Sequence, residues 1–276
     1  MKTFVKKYLT MLQIFLISIF LSNCTYFDNK ENKTQLSDSE VYSKGIASLR
    51  EGNFKQANSE FDEVFFNYPF SSLAPKSEIM SAFSLYENNE LNKAITKLNN
   101  FIEMNPKGEL TQYAHYLLAM CYYSQVSNEG RDPGLTIEAL KYFKIIVTKY
   151  PNTKYAKDSK LKIQYLQNAL AKNELNIGKF YLKKGAPASS IKRYKYILQN
   201  YQNTSIIPET LYRLCEALLI IGLKEEAIKS NAILNYNFPN NNWTRLSKDL
   251  FENKLNLVQM KDSKSSITDY LKNVFE

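Results

Sequence analysis

Three cysteines and one histidine are all that 276 residues provide. Three Cys cannot build a disulfide framework, and one His leaves little material for a histidine metal site. Glycine and proline are equally sparse, 8 of each, which argues against a turn-dense β-sandwich or a mucin-like stalk. No HExxH, Gly-rich phosphate loop, CxxC or G-x-S-x-G occurs. No segment alternates with period two for long, so almost no sheet is expected. What is abundant is apolar: hydrophobic residues reach 44% and aromatics 13%, ample for a buried core and unlike a disordered chain. The net charge of +9 points first to nucleic acid or an anionic surface. Lys2, Lys6 and Lys7 supply three of those nine charges in a segment that reads as removable, and the remaining +6 is spread along helices. A nucleic-acid partner is therefore not expected.

The N-terminus has the form of an export signal. Lys2, Lys6 and Lys7 precede an apolar run, Tyr8–Phe20, and then Leu21-Ser22-Asn23-Cys24. The 13-residue run would span roughly 20 Å as a helix, short of the about 30 Å bilayer core, so a permanent spanning helix fits poorly. Leu-Ser-Asn-Cys resembles the lipobox of bacterial lipoproteins, in which the Cys is diacylated and becomes the new N-terminus. Asn23 departs from the Gly, Ala or Ser usual before that Cys. A signal peptide over 1–23, a covalent lipid on Cys24 and a polar tether over 24–37 are the resulting expectations, with no other cofactor. Thr25, rather than Asp, favours passage to the outer membrane by resemblance to lipoproteins of two-membraned bacteria.

A phrase then recurs: a small residue, a bulky one four positions on, an apolar one three further, and Pro after five more. It reads Ala57, Phe61, Val64, Pro69; Ala94, Leu98, Phe101, Pro106; and Ala139, Phe143, Ile146, Pro151. A degraded copy is Ser190, Tyr194, Ile197, with Gln202 for Pro, and the last copy is Ala227, Asn231, Leu234, Pro239. Offsets of 4 and 7 place these side chains on one helix face. Pro pushes the residue before it out of the α region and ends the helix. Gly45, Ala82, Gly178 and Cys215 stand twelve residues upstream, so small residues are expected to meet across each hairpin, with Ala119 serving the third copy. The pattern resembles the tetratricopeptide repeat, two antiparallel helices per unit. The expected fold is all-α, a solenoid of about five such hairpins. Repeats one and two are assigned to 38–110, an extended third to 111–160, the fourth and fifth to 161–245, and a helical tail to 246–276.

Candidate sites are few. His115, in a helical pattern, reads as a hydrogen-bonded structural residue, and Cys121 and Cys215 as buried small hydrophobes. Asp62-Glu63 and Glu225-Glu226 read as solvated charges, so an enzyme is not expected. Helical hairpins present concave surfaces. Tyr42, Ile46 and Leu49 in the first unit, and Ile79, Phe83 and Tyr86 in the second, form a stripe that either lines a peptide groove or belongs to the core.

Beyond the repeats, Asn67-Tyr-Pro-Phe-Ser71, Phe101-Ile-Glu-Met-Asn-Pro106, Tyr113-Ala-His-Tyr-Leu117 and Arg131-Asp-Pro133 are similar to the BamD family, lipoprotein subunits of the outer-membrane β-barrel assembly machinery. Lys149-Tyr-Pro-Asn-Thr-Lys-Tyr155, Ile191-Lys-Arg-Tyr194 and Asn235-Tyr-Asn-Phe-Pro239, with Trp243 soon after, extend the resemblance. It implies a lipid-anchored scaffold whose N-terminal repeats recognise unfolded outer-membrane proteins. Its C-terminal repeats would hold a POTRA domain of the barrel-forming partner BamA, and other assembly lipoproteins. Arg193 matches a family position at that interface. Its local chemistry suits either a bidentate pair with a partner carboxylate or an ion pair within the chain. Another periplasmic repeat adaptor, for cell-wall synthesis or polysaccharide export, is the alternative function.

Overall fold

The computed structural model describes residues 36–126 and 133–259. The expected signal segment, Cys24, nearly all of the tether, most of the third-repeat insertion and the last residues of the tail lie outside them. Among the described residues there are eleven helices and no strand. They pair as α1 (Asp38–Arg50) with α2 (Phe54–Asn67), α3 (Ala74–Glu87) with α4 (Leu91–Met104), and α5 (Thr111–Tyr123) with α6 (Pro133–Lys149). Then come α7 (Lys154–Lys183) with α8 (Pro187–Asn200), α9 (Ile207–Ile220) with α10 (Lys224–Asn237), and a trailing α11 (Asn242–Gln259). From α1 to α10 each helix packs chiefly on its neighbours in sequence, as a solenoid requires, whereas α11 lies mainly on α9.

The recurring phrase is the core. Ala57, Phe61 and Val64, Ala94 and Leu98, and Ala139, Phe143 and Ile146 have no exposed surface; Phe101 has 1%. Ser190, Tyr194 and Ile197 are equally buried. Only the fifth copy departs: Asn231, standing in the bulky position, is half-buried and accepts a hydrogen bond from Ser247 Oγ of α11 at 2.7 Å.

The expected meeting of small residues needs correction in two hairpins. Gly45 lies against the Phe61 ring and Gly178 against the Tyr194 ring, each opposite the bulky position rather than the small one. An aromatic ring at that position needs a missing side chain facing it. In the fifth hairpin the expectation holds, since Cys215 Sγ contacts the Ala227 carbonyl oxygen at 3.5 Å.

Among the described residues, the turns of the first, second, fourth and fifth hairpins share one geometry. Gly52, Asn89, Gly185 and Gly222 adopt φ between 59° and 82°, the left-handed residue that ends a helix. The following amide then bonds back to a carbonyl in the last turn, as in Asn53 N to Ser48 O and Glu90 N to Leu85 O, both 2.8 Å.

Proline proves dispensable for ending the second helices. α8 stops at Asn200 although Gln202 replaces Pro, and Tyr201 takes φ −132°, ψ 39°, close to the −129°, 56° of Tyr68 before Pro69. Thr204 Oγ donates to the Tyr201 carbonyl at 2.7 Å, and Thr153 and Thr244 do the same to Tyr150 and Phe238 in their own turns. A threonine hydroxyl thus fixes the bend that Pro was expected to enforce.

The 30-residue α7 explains the long repeat spacing. Thr153 caps it, accepting from the Ala156 amide at 3.1 Å, and no Pro interrupts it. Its first half packs under α6 and its second half pairs with α8. The division placed at residue 160 therefore falls inside a continuous helix, and the one at 245 falls inside α11.

Candidate partner-binding surfaces

The proposed stripe splits when its residues are located. Ile79 is 2% exposed and sits in the core of the second hairpin with Ala82, Leu98 and Leu117, so it does not line a groove. Tyr42 and Ile46 are half-buried on α1. The Tyr42 ring lies 5.4 Å from that of Phe61, and Lys76 Nζ stands 5.4 Å from its centre, so the ring meets both an aromatic neighbour and a cation. Phe83 and Tyr86, one turn apart on α3, stack at 6.3 Å and pack against the same core with their outer edges free of it. Ser124 donates to Tyr86 Oη at 3.3 Å, linking the stripe to the end of α5.

Sequence reasoning missed the next members. Tyr122 of α5 and Tyr142 of α6 stack at 5.2 Å with planes only 9° apart, and Lys141 Nζ lies 5.1 Å from the Tyr142 ring. The first helices of three successive hairpins therefore carry Tyr42, Tyr86 and Tyr122 half-buried. Such rings offer flat apolar faces and hydroxyl edges at low entropic cost. The tyrosine count was the available signal, but no motif arranged it.

Arg193 lies on α8 with its side chain 41% exposed. Its guanidinium donates to Glu174 Oε2 of α7 at 2.9 Å, and that hydrogen bond holds the group firmly charged. In the free chain Arg193 is thus an ion-pair partner within its own hairpin. A half-exposed pair of this kind is worth at most about 1 kcal/mol, so exchanging Glu174 for another carboxylate costs little.

A second arginine, Arg213 of α9, was not foreseen. It pairs with Glu216 at 2.8 Å and Glu209 at 3.7 Å, and its guanidinium carbon lies 5.3 Å from the ring centres of both Tyr212 and Trp243. Glu216 is nearly buried, and Lys179 of α7 reaches Glu209 at 3.2 Å. This network ties α7, α9 and α11 together. The spacing Glu209, Arg213, Glu216 was its sequence signal. Asp62, expected to be solvated, instead accepts from Ser81 at 2.7 Å and pairs with Lys97, joining the first hairpin to the second. Glu226 is exposed, as expected of a solvated charge, and makes a surface pair with Lys195 of α8 at 3.2 Å.

The single histidine is buried, but its Nδ1 has no hydrogen-bond partner among the described residues, so the expected bond is missing at that atom. Burial, with a smaller contribution from Lys149, lowers its pKa. Cys121 and Cys215 are free and buried, and burial pushes both thiols up to about 12. Among the described residues no group of His, Cys, Asp and Glu is placed to hold a metal ion, and no helix is long and apolar enough to cross a membrane. Near the N-terminus, the Tyr68 hydroxyl donates to the Leu36 carbonyl, and Ser71 donates to Asp38. The chain thus joins the fold beside the loop between the first two hairpins.

A sequence model described as YfiO, outer membrane lipoprotein, matches residues 34–233. The chain belongs to the YfiO family. Within it, the chain is 38% identical over 216 residues to the outer membrane protein assembly factor BamD of Rickettsia prowazekii, covering 78% of this chain and 86% of that one. It is 40% identical over 203 residues to the BamD of Caulobacter vibrioides, covering 74% and 67%. Among solved structures, the TPR2AB domain of yeast Sti1 in its pHSP90 complex aligns over 76% of this chain and 81% of that one, with TM-score 0.45 and 15% identity. The family match spans four hairpins and most of the fifth, including the extended third unit that set the family resemblance apart from a generic repeat.

Proposed function

We propose that this YfiO-family chain is a scaffold lipoprotein of the outer-membrane β-barrel assembly complex, held at the periplasmic face by lipid on Cys24. The observation that carries the reading is the match of residues 34–233 to the family, together with relatives named as outer membrane protein assembly factors. That name favours barrel assembly over cell-wall synthesis or polysaccharide export. In this reading the chain makes and breaks no covalent bond. The half-buried tyrosines of the first three hairpins meet unfolded outer-membrane chains, and Arg193 exchanges Glu174 for a carboxylate on a POTRA domain of a BamA-like barrel protein. The exchange is cheap because the pair it breaks is half exposed. Contacts with other assembly lipoproteins belong to the same C-terminal half.

Depletion of the chain in its own cell tests the role. Loss of β-barrel proteins from the outer membrane, with their unfolded forms accumulating in the periplasm, supports it. Normal barrel levels with a defect confined to the cell wall or exported polysaccharide overturn it in favour of the alternative adaptor.

A further inference from the structure

The turn that follows the second helix of a hairpin recurs five times, and the residue just after its Pro position is exposed in every copy. In four copies that residue is polar: Lys107, Asn152, Asn203 and Asn240. In the first it is Phe70, 102% exposed, more than any other large apolar side chain among the described residues. Phe66, one turn back at the end of α2, is 68% exposed. No charged side chain occurs from Val64 to Pro75, and the flanking Glu63 and Lys76 cancel. A ring standing wholly in water adds nothing to the core, so folding does not account for Phe70.

The position of this loop points to its occupant. The Tyr68 hydroxyl donates to the Leu36 carbonyl, and Ser71 donates to Asp38, so the chain enters the fold against the loop that carries Phe70. Twelve residue steps separate Leu36 from Cys24, a reach of at most about 43 Å at full extension. We propose that Phe66 and Phe70 enter the bilayer interface as a second membrane contact beside the lipid on Cys24, an inference that rests on the anchored reading above. Aromatic rings settle at the boundary of headgroups and acyl chains, about 5–10 Å deep. The tether raises the local concentration of lipid around the loop, so a weak contact suffices. A lipid on Cys24 alone leaves the solenoid free to turn. Two contacts at one end fix the first hairpin with this loop toward the bilayer and the turn at Gly52 away from it, about 20 Å off by the length of α1. Because the inserted tip is uncharged, the contact is apolar and insensitive to salt, unlike adsorption of a cationic chain to anionic lipid.

Depth-dependent quenching tests the contact. The chain from residue 24 onward, with Cys24→Ser and an N-terminal histidine tag, is held on vesicles of phosphatidylethanolamine, phosphatidylglycerol and a nickel-chelating lipid. This anchor acts whether or not Cys24 is lipidated in the cell, so failure of the docking and failure of the lipidation are told apart. A polarity-sensitive fluorophore is attached at Ser72→Cys in the loop or at Glu51→Cys in the opposite turn, both exposed, while Cys121 and Cys215 are buried. Bromine on the acyl chains should quench the label at 72 at least about threefold more than the label at 51. The difference should persist from about 0.05 to about 0.5 M salt. Phe66→Ser with Phe70→Ser should abolish it while leaving the thermal midpoint in place, because both rings are exposed. Equal quenching at 72 and 51 overturns the proposal, as does a difference that salt removes or that survives loss of both rings. An emission shift without quenching, growing with protein density on the vesicle, assigns the loop to a second copy and likewise overturns it.

Discussion

Gly178 lies flat against the buried ring of Tyr194: a Cβ built on the glycine would stand 2.4 Å from Cε1 of that ring. Tyr194 has no exposed surface and cannot swing aside. Gly178→Ala should therefore destabilise the fourth hairpin, although Ala is the better helix former by about 1 kcal/mol. The overpacking penalty of about 1–3 kcal/mol outweighs that gain. Thermal melts of the variant and of Gly178→Ala with Tyr194→Leu decide the matter: the single change lowers the midpoint, and the smaller partner restores part of it.

The same logic applies to Ala139, fully buried in one core cluster with Ala119 and Phe143. Ala139→Leu should cost about 1–3 kcal/mol in denaturant unfolding. An unchanged midpoint would place the repeat phase elsewhere.

Arg213 should be indispensable only while Glu216 is charged. Arg213→Met leaves the nearly buried Glu216 carboxylate without its paired cation. The expected loss lies toward the lower end of about 3–5 kcal/mol, because the arginine itself keeps some solvent contact. Arg213→Met with Glu216→Gln should recover most of it. A double variant no more stable than the single one would show that the guanidinium acts through Trp243 and Tyr212 rather than through the carboxylate.

His115 gives the fold a pH dependence of known sign. Its folded pKa lies below the ordinary value of 6.5, so the unfolded chain binds the proton more readily. Stability is fully present above pH 6.5 and declines as pH falls from there toward the lowered value. Melts between pH 7.5 and 5, as an assay range covering that window, should show a slope that His115→Gln reduces. An identical slope in the variant would assign the dependence to other groups.

Cys24 carries the anchoring proposal. Mass spectrometry of the mature N-terminus should find diacylated Cys24 with residues 1–23 removed. An intact signal segment, or an unmodified thiol in a soluble form, would contradict it.

The core was legible in the sequence because burial at offsets of 4 and 7 leaves a periodic trace, and Phe61, Phe101 and Phe143 lie where that trace put them. The role of Gly45 and Gly178 was half legible. Spacing showed that something close-packed stood opposite them, but not that it was an aromatic ring. The turn after α8 has no Pro to mark it, and Thr204 supplies the same bend by a hydrogen bond that no apolar period reveals. Ion pairs such as Asp62 with Lys97, and the Arg213 network, join residues far apart in sequence or on several helices. Their partners become visible only once the helices are stacked. Ile79 and Phe83 looked alike in the stripe, and only the angle between α3 and its neighbours separates a core side chain from a half-open one.

Co-purification of the detergent-solubilised chain with its barrel partner, compared with the Arg193→Glu form, bears most directly on the scaffold role. The wild type should bring down a barrel protein carrying POTRA domains. Arg193→Glu should stay folded, because Tyr194 and Ile197 still pack, yet lose that partner, with binding restored by an acid-to-base change on the POTRA domain. Retention of the partner by a folded Arg193→Glu chain would contradict the interface, and absence of any barrel protein from the wild-type complex would contradict the scaffold role itself.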